Sequence, residues 1–474
     1  MGLSAVITAA SSGLNAYQIA TDVTAENIAN VNTAGYSRQT VQLENAPPTT
    51  HDGYPLGSGV QVASITRYYD SLMQQQLVNA GTSQGYDTQK STVLQQVEPT
   101  FNEVANDGLG AAISNFFGAW QDVTLNPGGT SERQVVMTRA QILTDNFHSV
   151  SKSLTDAAAT QNSSLVPLTD SINSTLTNIA QLNQQIKGAA TVSGSANEIK
   201  DQRDQLVSDL SQKLGFKYTE NSDGTTDIYL AKGNTNYYLV KGADAGSLSV
   251  ASAPPSGNYT VTAHDAYGST TTIDNSVYSG QDGGQLWATL QMRDTITPGY
   301  LSQVDTLAKS VTDAVNTQHA AGFTPTGATG QDFFTASATV DGSAARFSIA
   351  AGLTTATIAA SGSAGTPGDN SNALAMVQLT SSLTVPSGSA TSTFSSFYSN
   401  LVSQVGLDVQ ASKTVVTQDA AFTKQLTTLR DSNSGVSLDQ ELSNLMKYQR
   451  SYQASAKVLT TATDMMDMAL SLIR

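Results

Sequence analysis

Two seven-residue repeats, one at each end of the chain, restrict its fold more than any other feature. Leu3, Ala10, Tyr17, Thr24 and Val31 recur at a step of seven, and Ile7, Leu14, Thr21 and Ile28 form a second row between them. Such a 4-3 alternation is the seam of a coiled coil, here softened by Ala and Thr. It stops at Thr33-Ala34-Gly35, where glycine supplies a helix terminator. At the other end Leu438, Leu445, Tyr452, Leu459, Met466 and Ile473 keep the same step. Leu442, Ala456 and Leu470 fill much of the second row, interrupted by Gln449 and Thr463. Gly435 precedes this helix, and Ser437 with Glu441 gives it a polar start. Each stripe is too narrow for an independent core and needs a partner helix. Two of them at opposite termini predict that the ends pair, in a stalk roughly 50 Å long for helices of about 35 residues. Alone, such a stalk is marginal, because helices gain most of their stability from tertiary contact.

Between the ends, helical spacing recurs in Val136, Ala140, Leu143, Phe147, Val150 and Leu154. It continues from Leu165 to Ile186, from Ile199 to Leu214, and from Leu301 to Val315 after Pro298-Gly299. Pro127-Gly128-Gly129 and the stretch from Gly188 to Gly194 read as breaks. From Phe216 to about Asp282 the residues alternate instead, with Asp223-Gly224 as a hairpin turn and Tyr237 to Val240 continuing the β signal. A Thr-, Ala-, Ser- and Gly-rich stretch from about Phe333 to Gly368 predicts short strands or a loop.

The fold class that follows is mainly α with β inserts: paired terminal coiled-coil helices, a long-helix body and outer β-rich modules. Its predicted segments are 1–45 and 431–474 for the two core helices, and 46–215, 285–325 and 368–430 for the helical body. The inserts are 216–284, β-rich, and 326–367, a small outer piece of strand or loop. This nested layout is that of a filament subunit. Composition agrees, since only 13% of the 474 residues are charged, leaving a polar surface suited to packing against copies of itself.

A net charge of −15 with no basic run argues against nucleic acid as a partner. The absence of cysteine excludes disulfides, thiolate catalysis and Cys-ligated metals. Met1 to Ile7 carry neither a positive n-region nor an apolar h-region, so no Sec signal is expected, and no stretch has the ~18 apolar residues of a membrane span.

The search for chemistry returns nothing that holds. Gly81-Thr82-Ser83-Gln84-Gly85 fits the nucleophile-elbow pattern, but a polar helical stretch precedes it where a hydrophobic strand is required. His51, His148, His264 and His319 share no metal-ligand spacing. Asp201-Gln202-Arg203-Asp204 reads as a charged helix face with local pairing. Asn221 to Asp227 resembles half of a calcium loop but lacks the later bidentate Glu, which favours a hairpin turn. No catalytic, cofactor or metal site is expected.

Ser12-Gly13-Leu14-Asn15-Ala16, followed by Glu26-Asn27-Ile28-Ala29-Asn30-Val31-Asn32-Thr33-Ala34-Gly35-Tyr36-Ser37-Arg38-Gln39, resembles the N-terminal signature of flagellar rod, hook and hook-associated axial proteins. Phe116-Phe117-Gly118-Ala119-Trp120-Gln121, Ile179 to Ile186, Asp201 to Leu206, Gly368 to Leu374 and Ser434 to Glu441 are similar to blocks of the hook-associated protein 1 family. The insert after Phe333-Phe334 is short beside the β-domain of some members. The resemblance implies a secreted structural subunit at the hook-filament junction, outside the cell and exported through the flagellar channel. It implies a ring of identical subunits with paired terminal helices lining the inner core. Its partners would be the hook protein below, a second junction protein and the flagellin filament above, and an export chaperone before secretion; neither nucleic acid nor membrane is among them.

The assembly residues expected on this reading are the seam positions named above together with Asn27, Asn30, Asn32, Gly35 and Tyr36, the last group in a turn set against adjacent subunits. Two other readings compete with it. The seams could serve only to fold one protein, or an outer insert could carry an exported hydrolase, which would need placed carboxylates or a metal cluster. An adhesive role for the exposed β insert is a further alternative.

Overall fold

The computed structural model describes residues 3–51, 54–102, 108–189, 196–253, 257–388 and 390–471. In chain order the first elements are α1 (Leu3–Ala29), β1 (Gln39–Asn45), β2 (Thr49–His51), β3 (Tyr54–Leu56), β4 (Val60–Arg67) and α2 (Ser71–Val97). Helices α3 (Leu109–Leu125), α4 (Thr130–Ala189) and α5 (Asn197–Lys213) follow. Then come β5 (Lys217–Glu220), β6 (Thr226–Lys232), β7 (Thr235–Lys241), β8 (Asp244–Ala245), β9 (Ser247–Ser252), β10 (Tyr259–His264) and β11 (Thr270–Thr272). The last part holds α6 (Gly284–Gln291), α7 (Thr297–Ala320), α8 (Ser343–Arg346), α9 (Ser371–Gln378), β12 (Val385–Ser387), β13 (Ala390–Ser392), α10 (Phe394–Ser434) and α11 (Leu438–Ser471). They form two compact units: Met1–Gly85 with Pro167–Gly284 and Gln418–Arg474, and Tyr86–Val166 with Gln285–Thr417.

In the first unit the two ends of the chain pair, as the repeats predict. Helices α1 and α11 run antiparallel, since Asn27 meets Glu441 while Gly13 meets Ser455. The buried face of α1, covered by α11 and by β1 and β4, is Ala10, Gly13, Ala16, Ala20, Val23, Thr24 and Asn27, mostly small residues, with the predicted seam positions Ala10 and Thr24 among them. A Cβ on Gly13 would lie 3.0 Å from Ser455 Oγ. The large side chains of the predicted seam lie about a quarter turn away, at 100° per residue. The ribbon of β1 and β4 packs on α1, and Gly59 at its turn makes that approach possible. Its φ is +98°, and a Cβ there would sit 2.9 Å from Ala9 Cα and would also run into Ser12 Oγ.

The β-rich stretch of this unit holds a four-stranded antiparallel sheet, β5-β6-β7-β8, and a three-stranded one, β11-β10-β9. Asp223-Gly224 makes the first hairpin turn, with Gly224 at φ +81° and the Asp223 carboxylate accepting from Thr225 N at 3.0 Å. Position 224 therefore requires glycine, and no cation is needed to hold the loop.

The second unit is built on aromatic side chains. Phe116, Phe117 and Trp120 of α3 and Phe147 of α4 bury against α7 and the segment after it. That segment differs from its sequence reading as an outer piece. Phe333, Phe334 and Phe347 are fully enclosed, with Phe116 and Phe333 centroids 5.5 Å apart. Asn316 of α7 pins them: its Oδ1 accepts from Phe333 N and Phe334 N at 2.9 and 2.8 Å, and its Nδ2 donates to Phe334 O at 2.8 Å. With so few regular strands here, side-chain hydrogen bonds do the work of a sheet ladder. His319 sits in the same core, its Nε2 accepting from Ala359 N at 2.9 Å, and burial lowers its pKa. It is a core histidine. Ser83 lies inside α2, away from any strand-to-helix elbow.

Candidate functional site

The Asn27–Gln39 segment of the first unit is held by hydrogen bonds to α5 and α11 as well as within itself. Helix α1 ends at Ala29, earlier than the glycine alone suggests, and the chain then turns back through Gly35 at φ +80°. Asn27, 1% exposed, uses every hydrogen-bonding position of its amide. Its Nδ2 donates to Gln39 O at 2.8 Å and to Glu441 Oε2 at 3.1 Å, and its Oδ1 accepts from Gln39 N and Tyr36 Oη, both at 2.9 Å. Asn30 holds the turn, accepting from Thr33 Oγ1 at 3.1 Å, while Asn32 is exposed. Burial pushes the Tyr36 hydroxyl well above its usual range, so it stays a donor.

Two carboxylates lock this turn to distant parts of the chain. Glu441, near the start of α11, accepts from Arg38 Nε at 2.7 Å and is 1% exposed, so it is a buried bracket and more than the polar helix start expected of it. Asp201 of α5 accepts from Ser37 N and Ser37 Oγ, each at 2.8 Å, and from Arg67 Nη1 at 2.7 Å. Arg67 also reaches Asp204 at 2.8 Å and stacks 4.2 Å from the Tyr69 ring centre. Burial opposes its charge, but Asp204 and Asp201 together hold its pKa above the ordinary value. The reading of 201–204 as a charged helix face with only local pairing is thus corrected in part. Arg203 does pair with Asp204 next to it, at 2.8 Å, but Asp201 and Asp204 point into the molecule and clamp the N-terminal turn and β4.

A further carboxyl pair lies beside this clamp. Glu26 hydrogen-bonds Glu198, and with burial and the Glu198 charge this raises its pKa to about 7, while Gln39 partly offsets the shift. The arrangement joins distant chain segments: Asp201, Asp204 and Glu441 each hold an arginine. Among the described residues no group of three His, Asp or Glu side chains is placed to hold a metal ion, and no helix is long and apolar enough to cross a membrane.

The predicted assembly residues fall into two groups. Asn27, Asn30 and Tyr36 hydrogen-bond within the turn, and Gly35 bends it. Leu3, Ile7, Leu14, Tyr17 and Ile28 on α1, with Leu445 and Leu459 on α11, are only half-buried. Leu438 (45%), Leu442 (48%), Tyr452 (40%), Met466 (37%) and Leu470 (59%) stay exposed. Ile473 lies outside the described residues. Arg67, Asp201 and Glu441 were missed as site residues. The charge alternation around 201–204 was visible, but the partners are more than 100 positions apart in sequence.

Residues 94–334, just over half of the chain, match the family described as "Flagellar hook-associated protein FlgK helical domain". The chain belongs to the FlgK hook-associated family. Residues 7–36 match the flagella basal body rod protein family, and residues 430–472 match the C-terminal family of the flagellar basal body rod FlgEFG proteins. The first stretch covers most of α1 and the start of its turn, and the second contains α11. The chain is similar to flagellar hook-associated protein 1 of Bacillus subtilis, with 29% identity over 97% of this chain and 96% of that one. It is 28% identical to flagellar hook-associated protein 1 of Escherichia coli over 99% of this chain and 100% of the other. A solved structure of the flagellar hook junction protein FlgK from Burkholderia pseudomallei shares the fold, with a TM-score of 0.63 at 18% identity over 76% of this chain and all of that one. This FlgK-family chain is therefore a structural component of the bacterial flagellum.

Proposed function

We propose that the chain forms the junction between hook and filament as a ring of identical subunits. One observation carries this most directly: after α1 and α11 have paired, α11 still exposes Leu438, Leu442, Met446, Tyr452, Val458 and Leu470. An apolar surface of that extent on a helix end calls for further helices to cover it. Copies of the same chain supply them when packed around a common axis. The large seam residues of α1 are half-buried and most of those of α11 are exposed, so a neighbour reaches them without unzipping the pair.

The same reading includes export through the flagellar secretion channel to the outside of the cell, with a chaperone covering the α11 face beforehand. It places the hook protein below the ring, and a second junction protein and flagellin above it. The nested segments read from the sequence, apart from the 326–367 piece, belong to it, with the β-rich 216–284 stretch facing outward. The work is packing, and no catalytic step is part of it.

Electron microscopy of cells lacking the gene, combined with an assay for flagellin in the medium, tests this. Complete hooks without filaments and flagellin shed as monomer are expected. Missing hooks would move the subunit down to the rod or hook, and normal filaments would overturn the proposal.

A further inference from the structure

Methionine is distributed unevenly in this structure. The chain has nine, and four of them, Met446, Met465, Met466 and Met468, lie on α11. These are 57, 55, 37 and 66% exposed, whereas Met292 and Met376 are fully enclosed in the core of the second unit. Met73 and Met137 are half-buried. Met446 continues a ridge with Leu438 and Leu442 at four-residue steps, and Met465 and Met468 continue one from Val458. The exposed thioethers thus sit within the surface that the proposed assembly must bury.

We propose that these four methionines form an oxidation-sensitive control point, at which peroxide-class oxidants block assembly of the free subunit while the assembled subunit is shielded. This rests on the junction reading above. The chemistry balances with hydrogen peroxide as co-reactant. A sulfur lone pair attacks one peroxide oxygen, the O–O bond breaks, an S–O bond forms, and the departing hydroxide takes up the remaining proton to leave as water. Sulfur loses two electrons and the peroxide is reduced by two.

The product sulfoxide is polar and accepts hydrogen bonds, so a flexible apolar knob becomes a group that resists burial between helices. No acid or base from the protein is needed, and access alone decides the rate. Access differs most between the exposed face of α11 and the sealed core. Because sulfoxide is enzymatically reducible, the block is reversible.

The test uses the purified full-length chain, with and without hydrogen peroxide, mapped by peptide mass spectrometry. Each sample is then supplied to hook-bearing cells that lack the gene, and filaments are counted by electron microscopy. The expected result is gain of one oxygen at Met446, Met465, Met466 and Met468 before Met292 and Met376, with loss of filament restoration. Treatment of the oxidised chain with methionine sulfoxide reductase should return it. Equal oxidation of the core methionines, undiminished filaments from a chain oxidised at all four sites, or no recovery after reduction would each overturn the inference. Failure of the untreated chain to restore filaments would overturn the junction reading, and this inference with it.

Discussion

Asp201 shows how much of the N-terminal turn depends on single groups. Its carboxylate takes two hydrogen bonds from Ser37 and pairs with Arg67, and both charged side chains are buried. Asp201→Ala would strand the Ser37 amide and leave Arg67 with Asp204 alone. We expect a loss of about 3–5 kcal/mol, the range for breaking a buried ion pair from one side, seen as an earlier denaturant midpoint for the wild-type slope. A loss under a quarter of that would mean the clamp is decorative. Glu26 gives a pH dependence of defined sign. Its folded pKa of about 7 lies above its unfolded value, so the protonated pair with Glu198 stabilises fully below pH 4.5 and is lost as pH rises through about 7. Glu26→Gln should therefore raise the melting temperature at pH 8 and change it little at pH 5. Solvent access to the pair keeps the shift to a few degrees. The reverse ordering would show that the carboxyls do not share a proton.

At the level of elements, the pairing of helices was legible and the face of contact was not. Heptad spacing carries the message that a helix needs a partner, but large apolar residues are also what a second, intermolecular partner needs. Gly13, Ala16 and Ala20, which are buried on α1, carry almost no hydrophobic signal of their own. The β1–β4 ribbon was also missed, although Thr40 to Glu44 and Val60 to Ile65 alternate in the manner of strands. Helical segments on either side drew it into the helical body. Gly59 joins that ribbon to α1 with both a positive φ and no room for a Cβ. Gly59→Ala should cost roughly 1–3 kcal/mol from backbone strain, with the clash added. Hydrogen exchange would show it as lost protection in β1 and β4 and not in β6 and β7.

For the whole molecule, folding and assembly use different parts of the same helices. Leu442→Asp replaces a side chain that touches solvent in the free chain, so its folding free energy should stay within about 0.5 kcal/mol of wild type. Assembly should fail, because the charge would have to be buried against a neighbouring helix. Filaments of normal number on cells carrying this variant would show that the exposed face of α11 is not the contact between copies. What the sequence determined by itself was local or periodic: paired termini, long helices, the Asp223-Gly224 hairpin and the flagellar signature. Each is written in neighbours a few residues apart, or in a step that repeats. The tertiary structure alone decided that Glu441 brackets Asn27, that Asp201 clamps Ser37 and Arg67, and that Phe333, Phe334 and Phe347 close a core. Those partners are distant in the chain, and only burial of the backbone they satisfy selects one carboxylate or ring among many.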